Sequence, residues 1–191
     1  MTKIGFGITG SFCTFEKVLI SLKELVDNGY DIYPVLTFNT NNISTRFGNN
    51  EDFIKKVENI TGKKVVNTIE EAETFGSQNK MDAFIVMPAT GNFIGKMANG
   101  ITDNPVLMAS KATLRNSKPL LIGISSNDSL GLNGINIMKL YNTKNIFYIP
   151  FSQDDYINKP NSLISHFDLL LDSLKKALVN EQLQPVMREK K

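Results

Sequence analysis

The chain of 191 residues is 41% hydrophobic and 21% charged, with a net charge of +2. That globular balance fits one compact domain of the usual ~100–200 residues and points to neither a nucleic acid nor an anionic membrane surface. A single cysteine excludes an internal disulfide, residues 1–9 lack the basic and apolar runs of a secretion signal, and no stretch approaches the ~18 uninterrupted apolar residues of a spanning helix, so a cytoplasmic protein is expected.

Residues 4–8 form an apolar run that reads as the first strand. Phe15, Val18, Leu22, Leu25 and Val26 then fall on one helical face, with Asn28-Gly29 as the stop. Residues 32–37 predict a second strand and about 51–60 a second helix. Residues 83–87 predict a strand buried on both faces. A helix in two pieces follows, about 93–99 and 106–116, broken by the Gly- and Pro-bearing residues 100–105. Strands at 120–124 and 146–149 precede a C-terminal helix over about 161–180, with Phe167, Leu170, Leu171, Leu174 and Leu178 on one stripe. Alternation of this kind predicts a three-layer, Rossmann-like (flavodoxin-like) α/β fold with a doubly wound, mainly parallel sheet, as a single domain over 1–191. The Asn-, Ser- and Gly-rich stretches 39–50 and 125–134 follow strands, where binding loops belong.

The most informative stretch is Val86-Met87-Pro88-Ala89-Thr90-Gly91-Asn92-Phe93-Ile94-Gly95-Lys96, where a strand runs into small, polar residues at the edge where open α/β sheets bind ligands. A flat cofactor fits there. Gly5, Gly7 and Gly10 match the spacing of a dinucleotide fingerprint, but the first two lie inside the strand, and the second strand ends in Leu36-Thr37-Phe38 rather than the acid that holds a ribose. Thr9-Gly10-Ser11 ahead of a helix suits a phosphate-binding turn, although Thr-Gly-Ser is equally an ordinary helix cap. Gly91 to Lys96 fails as a nucleotide-hydrolase phosphate loop, having three residues between its glycines and Met97 after the lysine. Lys96 is either a solvated side chain or a cation near a ring or a substrate acid. Ser125-Ser126-Asn127-Asp128 offers donors and acceptors at the same edge, or simply a capped turn. Cys13 is expected to be buried and inert, and His166 to sit on the last helix, away from every candidate loop. With one His and one Cys, neither a metal-ligand cluster nor a hydrolytic triad can be assembled.

Thr9-Gly10-Ser11, Thr37, Pro88-Ala89-Thr90-Gly91-Asn92 with Lys96, and the strand leading to Asn127 resemble the flavoprotein family of flavin-containing cysteine decarboxylases and flavin prenyltransferases, over about the first 150 residues. The resemblance implies FMN near a subunit interface, in trimers or assemblies of trimers. It places Thr9, Gly10, Ser11 and Thr37 toward the phosphate and Pro88, Ala89, Thr90, Gly91 and Asn92 near the isoalloxazine or ribityl chain, with Phe12 and Asn127 also among the cofactor contacts. Residues 38–80 contain no histidine, where the decarboxylases carry their active-site one, Gly91-Asn92 replaces their Ala-Asn pair, and Ser125-Ser126-Asn127 replaces their later Pro-Ala-Met-Asn motif. Peptidyl-cysteine decarboxylation is therefore disfavoured.

Thr9-Gly10-Ser11-Phe12-Cys13-Thr14-Phe15, Ile124-Ser125-Ser126-Asn127-Asp128 and Asn142-Thr143-Lys144-Asn145-Ile146-Phe147-Tyr148-Ile149-Pro150-Phe151 resemble one branch of that family more closely. That branch implies the small subunit of an oxidoreductase that aromatises a dihydropyridine dicarboxylate to pyridine-2,6-dicarboxylate in the mother cell of a spore-former, with NAD(P) on a larger partner subunit. Its candidate contacts to the substrate acids are Asn92, Lys96 and Asn127, and no catalytic residue is assigned. The alternatives are an independent flavin enzyme and a non-catalytic scaffold for the larger partner.

Overall fold

A computed structural model describes residues 1–189. The strands are β1 (Lys3–Ile8), β2 (Asp31–Leu36), β3 (Ala83–Ala89), β4 (Leu120–Ser126), β5 (Ile146–Tyr148), β6 (Phe151–Asp155) and β7 (Lys159–Ser165). They form a seven-stranded sheet in the order β2-β1-β3-β4-β7-β6, with β5 also paired to β4. Strands β1 to β5 pair in parallel, and β7 pairs antiparallel with β4 and β6. The helices are α1 (Phe15–Asp27), α2 (Phe38–Asn42), α3 (Asn50–Thr61), α4 (Ile69–Glu73), α5 (Gly91–Ala98), α6 (Pro105–Arg115), α7 (Gly134–Tyr141) and α8 (Leu170–Leu178).

The side-chain alternation of the strands divides the core into two layers. Ile4, Phe6 and Ile8 of β1 and Ile85 and Met87 of β3 pack with Val18 and Leu22 of α1, Val57 of α3, and Leu170 and Leu174 of α8. On the other face Phe84 and Val86 of β3 and Ile122 of β4 pack with Ile94 of α5, Val106 of α6 and Ile137 of α7. The expected three-layer, mainly parallel α/β fold is thus what the chain adopts. Gly5 and Gly7 serve this packing rather than a dinucleotide. A Cβ would lie 2.3 Å from the Phe84 ring at Gly5 and 2.7 Å from Val106 at Gly7, so only glycine lets β1 close under β3 and α6.

The C-terminal reading needs correction. Residues 159–165 are strand β7, and the last helix begins only after a 3-10 turn at Phe167–Leu169. The polar run Lys159-Pro160-Asn161-Ser162 completes a hairpin with β6, while the expected stripe of Phe167, Leu170, Leu171, Leu174 and Leu178 does pack on one core layer. His166 therefore precedes the helix, with its Nε2 buried and unpaired among the described residues. The run 142–151 also acquires a structural reason. Tyr148 is fully buried, its hydroxyl donates to the Ile137 carbonyl at 3.2 Å, and its backbone is gripped on both sides by the Gln182 amide at 2.8 and 2.7 Å. No helix among the described residues is long and apolar enough to cross a membrane.

Candidate functional site

Between β1 and β3 the strand order reverses direction from the start of the chain, and open α/β sheets leave a crevice at the carboxyl ends of such a pair. A cleft of about 360 Å³ occupies that place, lined by Thr9, Gly10, Thr37, Phe38, Asn39, Thr90, Asn92, Phe93, Lys96, Asp103 and Asn104, within the ~300–1,000 Å³ usual for small-ligand sites. Loops after three adjacent strands, β2, β1 and β3, and the α5–α6 linker build it.

Thr9 welds two of these loops together. Its Oγ1 donates to the Pro88 carbonyl at 2.7 Å and accepts from the Thr90 amide at 3.1 Å, with the Thr90 hydroxyl 3.2 Å away. The Thr9 hydroxyl proton is committed to protein. Thr37 caps α2, accepting from the Thr40 amide at 3.3 Å, and Thr90 caps α5, accepting from the Phe93 amide at 3.5 Å. Ser11 has no capping bond. It turns its Oγ to the Oγ of Ser125 at 2.9 Å, tying the β1 loop to the end of β4.

Seven of the expected residues fall on or beside the cleft in different ways. Thr9, Gly10, Thr37, Thr90, Asn92 and Lys96 line it, and Ser11 sits beside Gly10, outside the lining. Phe12 instead lines a neighbouring groove with Phe15 and Phe53. Pro88 and Ala89 are buried within β3. Gly91 faces protein, since a Cβ there would lie 2.8 Å from the Asn133 Nδ2 and 2.9 Å from the Ser126 Oγ. Asn127 is exposed and lies outside the cleft lining. The turn it belongs to is organised by its neighbours: the Ser126 hydroxyl accepts from the Asp128 amide at 3.3 Å, and the Asp128 carboxylate accepts from the Asn133 side chain at 3.1 Å. Cys13, expected to be buried, is exposed. The 3-10 turn of Phe12–Thr14 gives the inward position to Thr14 instead.

Phe38, Asn39, Phe93, Asp103 and Asn104 line the cleft without having been singled out from the sequence. Phe38 and Asn39 directly follow Thr37, and Asn104 ahead of Pro105 is a helix-cap signature, with its Oδ1 accepting from the Leu107 amide at 3.0 Å. Asp103 carried no such signal.

The charges in this lining are Lys96 and Asp103, joined at 2.6 Å, so it is neutral as a whole. Hydroxyls, carboxamides and the exposed Phe38 ring make a surface suited to a planar, hydrogen-bonding ligand with an anionic end. An FMN fits this donor set: Gly10 leaves its Cα side open to all but the Phe12 ring at 3.4 Å, and Asn92 is exposed at the cleft wall. No group of three metal-ligating side chains occurs among the described residues.

A family model described as Flavoprotein matches residues 1–162. The chain belongs to the flavoprotein family. The flavoprotein is 50% identical over 187 residues to the B-subunit of dipicolinate synthase from Bacillus subtilis (strain 168), covering 98% of this chain and 94% of that protein. The crystal structure of the dipicolinate synthase B-subunit from Bacillus halodurans superposes with a TM-score of 0.92 at 46% identity, covering 100% of this chain and 97% of that one. An FMN-dependent cysteine decarboxylase shares the fold, with a TM-score of 0.69 at 20% identity over 94% of this chain and 96% of that one.

Proposed function

We propose that the chain is the small subunit of a dipicolinate synthase and that its cleft binds FMN. The observation that carries this reading is the 50% identity to the dipicolinate synthase B-subunit across 98% of the chain, joined to a cleft lined by Thr9, Gly10, Thr37, Thr90 and Asn92 of the expected cofactor residues. Gly10 and Thr37 would receive the phosphate, with Ser11 beside them holding the loop to Ser125, and Thr90 and Asn92 toward the ribityl chain and ring. Thr9 and Pro88 would shape the site without donating to it. When bound, FMN would supply a flat, redox-active ring against which a planar substrate can lie.

The reaction is the oxidation of dihydrodipicolinate, or its hydrated precursor, to pyridine-2,6-dicarboxylate. Dihydrodipicolinate loses a hydride from a ring carbon and a proton to solvent as its ring becomes aromatic, and NAD(P) on the larger dipicolinate synthase subunit would supply the hydride acceptor. Aromatisation supplies much of the driving force, leaving the protein to orient the ring and meet two carboxylates. Asn92 and Lys96 are the contacts this chain offers to those acids, and Asn127 reaches them only if the 125–128 turn moves. The lack of an acid at the end of β2 agrees with a nicotinamide site on the partner.

The protein acts as one domain, whose last two residues lie outside the described ones, in a trimer-based homo-oligomer in the mother cell of a spore-former. The test is reconstitution. Purified chain mixed with the larger subunit, NAD(P) and FMN should convert freshly made dihydrodipicolinate to dipicolinate with stoichiometric reduced nicotinamide. Full turnover by the larger subunit on its own, unchanged on adding the chain, would refute the reading.

A further inference from the structure

Among the described residues Lys96 is the single cation of the cleft lining, and it is not free. Lys96 Nζ lies 2.6 Å from Asp103 Oδ2, with Lys96 30% and Asp103 50% exposed, and the remaining lining residues are uncharged. Asp103 belongs to the linker between α5 and α6. Its ends are fastened, the Ile101 amide donating to the Lys96 carbonyl at 3.0 Å and Asn104 capping α6 at 3.0 Å. Lys96 is the side-chain partner that holds the carboxylate between them.

Bringing a carboxylate into such a cleft without a cation is costly. With Lys96 engaged by Asp103, an incoming carboxylate competes with Asp103 for that cation. Opening the pair is cheap, because exposed ion pairs contribute about 0.2–1 kcal/mol. We propose that Asp103 is a specificity-determining residue, an internal competitor that holds Lys96 until a carboxylate of a planar ring dicarboxylic acid takes its place. This rests on the reading of the cleft as the ligand site.

The competitor filters ligands. A carboxylate on a short tether acts at an effective concentration on the order of millimolar. Free small anions below that level leave the pair closed. A ligand that also lays a ring against Phe38 and hydrogen-bonds Asn92 gains enough to displace Asp103, so the site selects for an acid and a flat body in one molecule.

The experiment is calorimetric titration of pyridine-2,6-dicarboxylate, and separately FMN, into the full-length wild-type chain, Asp103→Asn, Lys96→Met and the double variant, with a melting curve showing that each is folded. Asp103→Asn should bind the dicarboxylate up to about fivefold more tightly, with a smaller change for FMN, and Lys96→Met should abolish that gain in the double variant. Dicarboxylate binding no tighter in Asp103→Asn than in wild type overturns the competitor role while leaving the FMN reading intact. So does a gain that survives Lys96→Met, or one seen for FMN alone. Failure of the wild type and Asp103→Asn to bind either compound, alone and with the larger synthase subunit present, sinks this inference and the proposed function together.

Discussion

Thr9→Val is the sharpest perturbation of the framework that creates the cleft. The substitution keeps the shape of a side chain that is 2% exposed and deletes an oxygen with two backbone partners, the Pro88 carbonyl at 2.7 Å and the Thr90 amide at 3.1 Å. Leaving a buried polar group unpaired costs about 1–3 kcal/mol. Pro88 is buried and Thr90 half-buried, so the second loss lies near the low end and the sum is about 2–4 kcal/mol. For a chain of this length each kcal/mol moves the melting temperature by about 2–4 °C, which gives a fall of about 4–16 °C. Thermal unfolding followed by circular dichroism reads it directly. Thr9→Ser keeps the hydroxyl and loses only a methyl, so it should recover most of the deficit. A Thr9→Val protein melting within about one degree of wild type would refute the claim that this hydroxyl joins the ends of β1 and β3.

Asn92→Leu should behave in the opposite way. Its side chain is exposed at the cleft wall, so stability should move by less than about 0.5 kcal/mol. Losing a ligand hydrogen bond of about 1 kcal/mol should weaken FMN roughly fivefold in a fluorescence titration. A large melting shift with unchanged FMN binding would assign Asn92 to structure instead. Away from the cleft, burial pushes the Asp31 carboxyl up, but hydrogen bonds from Lys63 and Tyr33 and the charges of Lys63 and Lys3 outweigh it and hold the group below its ordinary 3.8. A depressed carboxyl stabilises the fold above 3.8 and loses that contribution as pH falls through its folded value. Asp31→Asn should therefore lower the unfolding free energy measured in urea at neutral pH by about 0.5–1 kcal/mol for this partly exposed pair, and match wild type in strong acid. A deficit that persists undiminished in acid would assign the effect to packing.

Where burial and period coincide, the sequence announces its structure. The five parallel strands are apolar runs, and α1 and α3 show one clean face, so their existence and order were readable. Helix α7 was not, because Ile135, Met138 and Tyr141 are exposed while Ile137 and Leu140 are buried, and apolar residues on both sides erase the period. The β6–β7 hairpin was missed for the opposite reason. Gln153, Asp154 and Asp155 face Lys159 to Leu163 with too few apolar positions to alternate, and pairing rather than burial makes them strands.

For the cleft, the loops at strand ends were legible because small polar residues after an apolar run have few other uses. The roles within them were not. Whether Thr9 donates to a ligand or to Pro88, and whether Gly91 faces a ring or Asn133, depends on contacts between residues far apart in the chain. The lysine was visible, and its partner Asp103 was not.

The central claim is that the ends of β1, β2 and β3 form a flavin site. Titration of FMN into the purified full-length chain, followed by quenching of flavin fluorescence, tests it most directly. The account predicts saturable binding of one FMN per chain, weakened by Asn92→Leu. Flavin fluorescence that stays unquenched with the chain alone and with the larger synthase subunit present would contradict it.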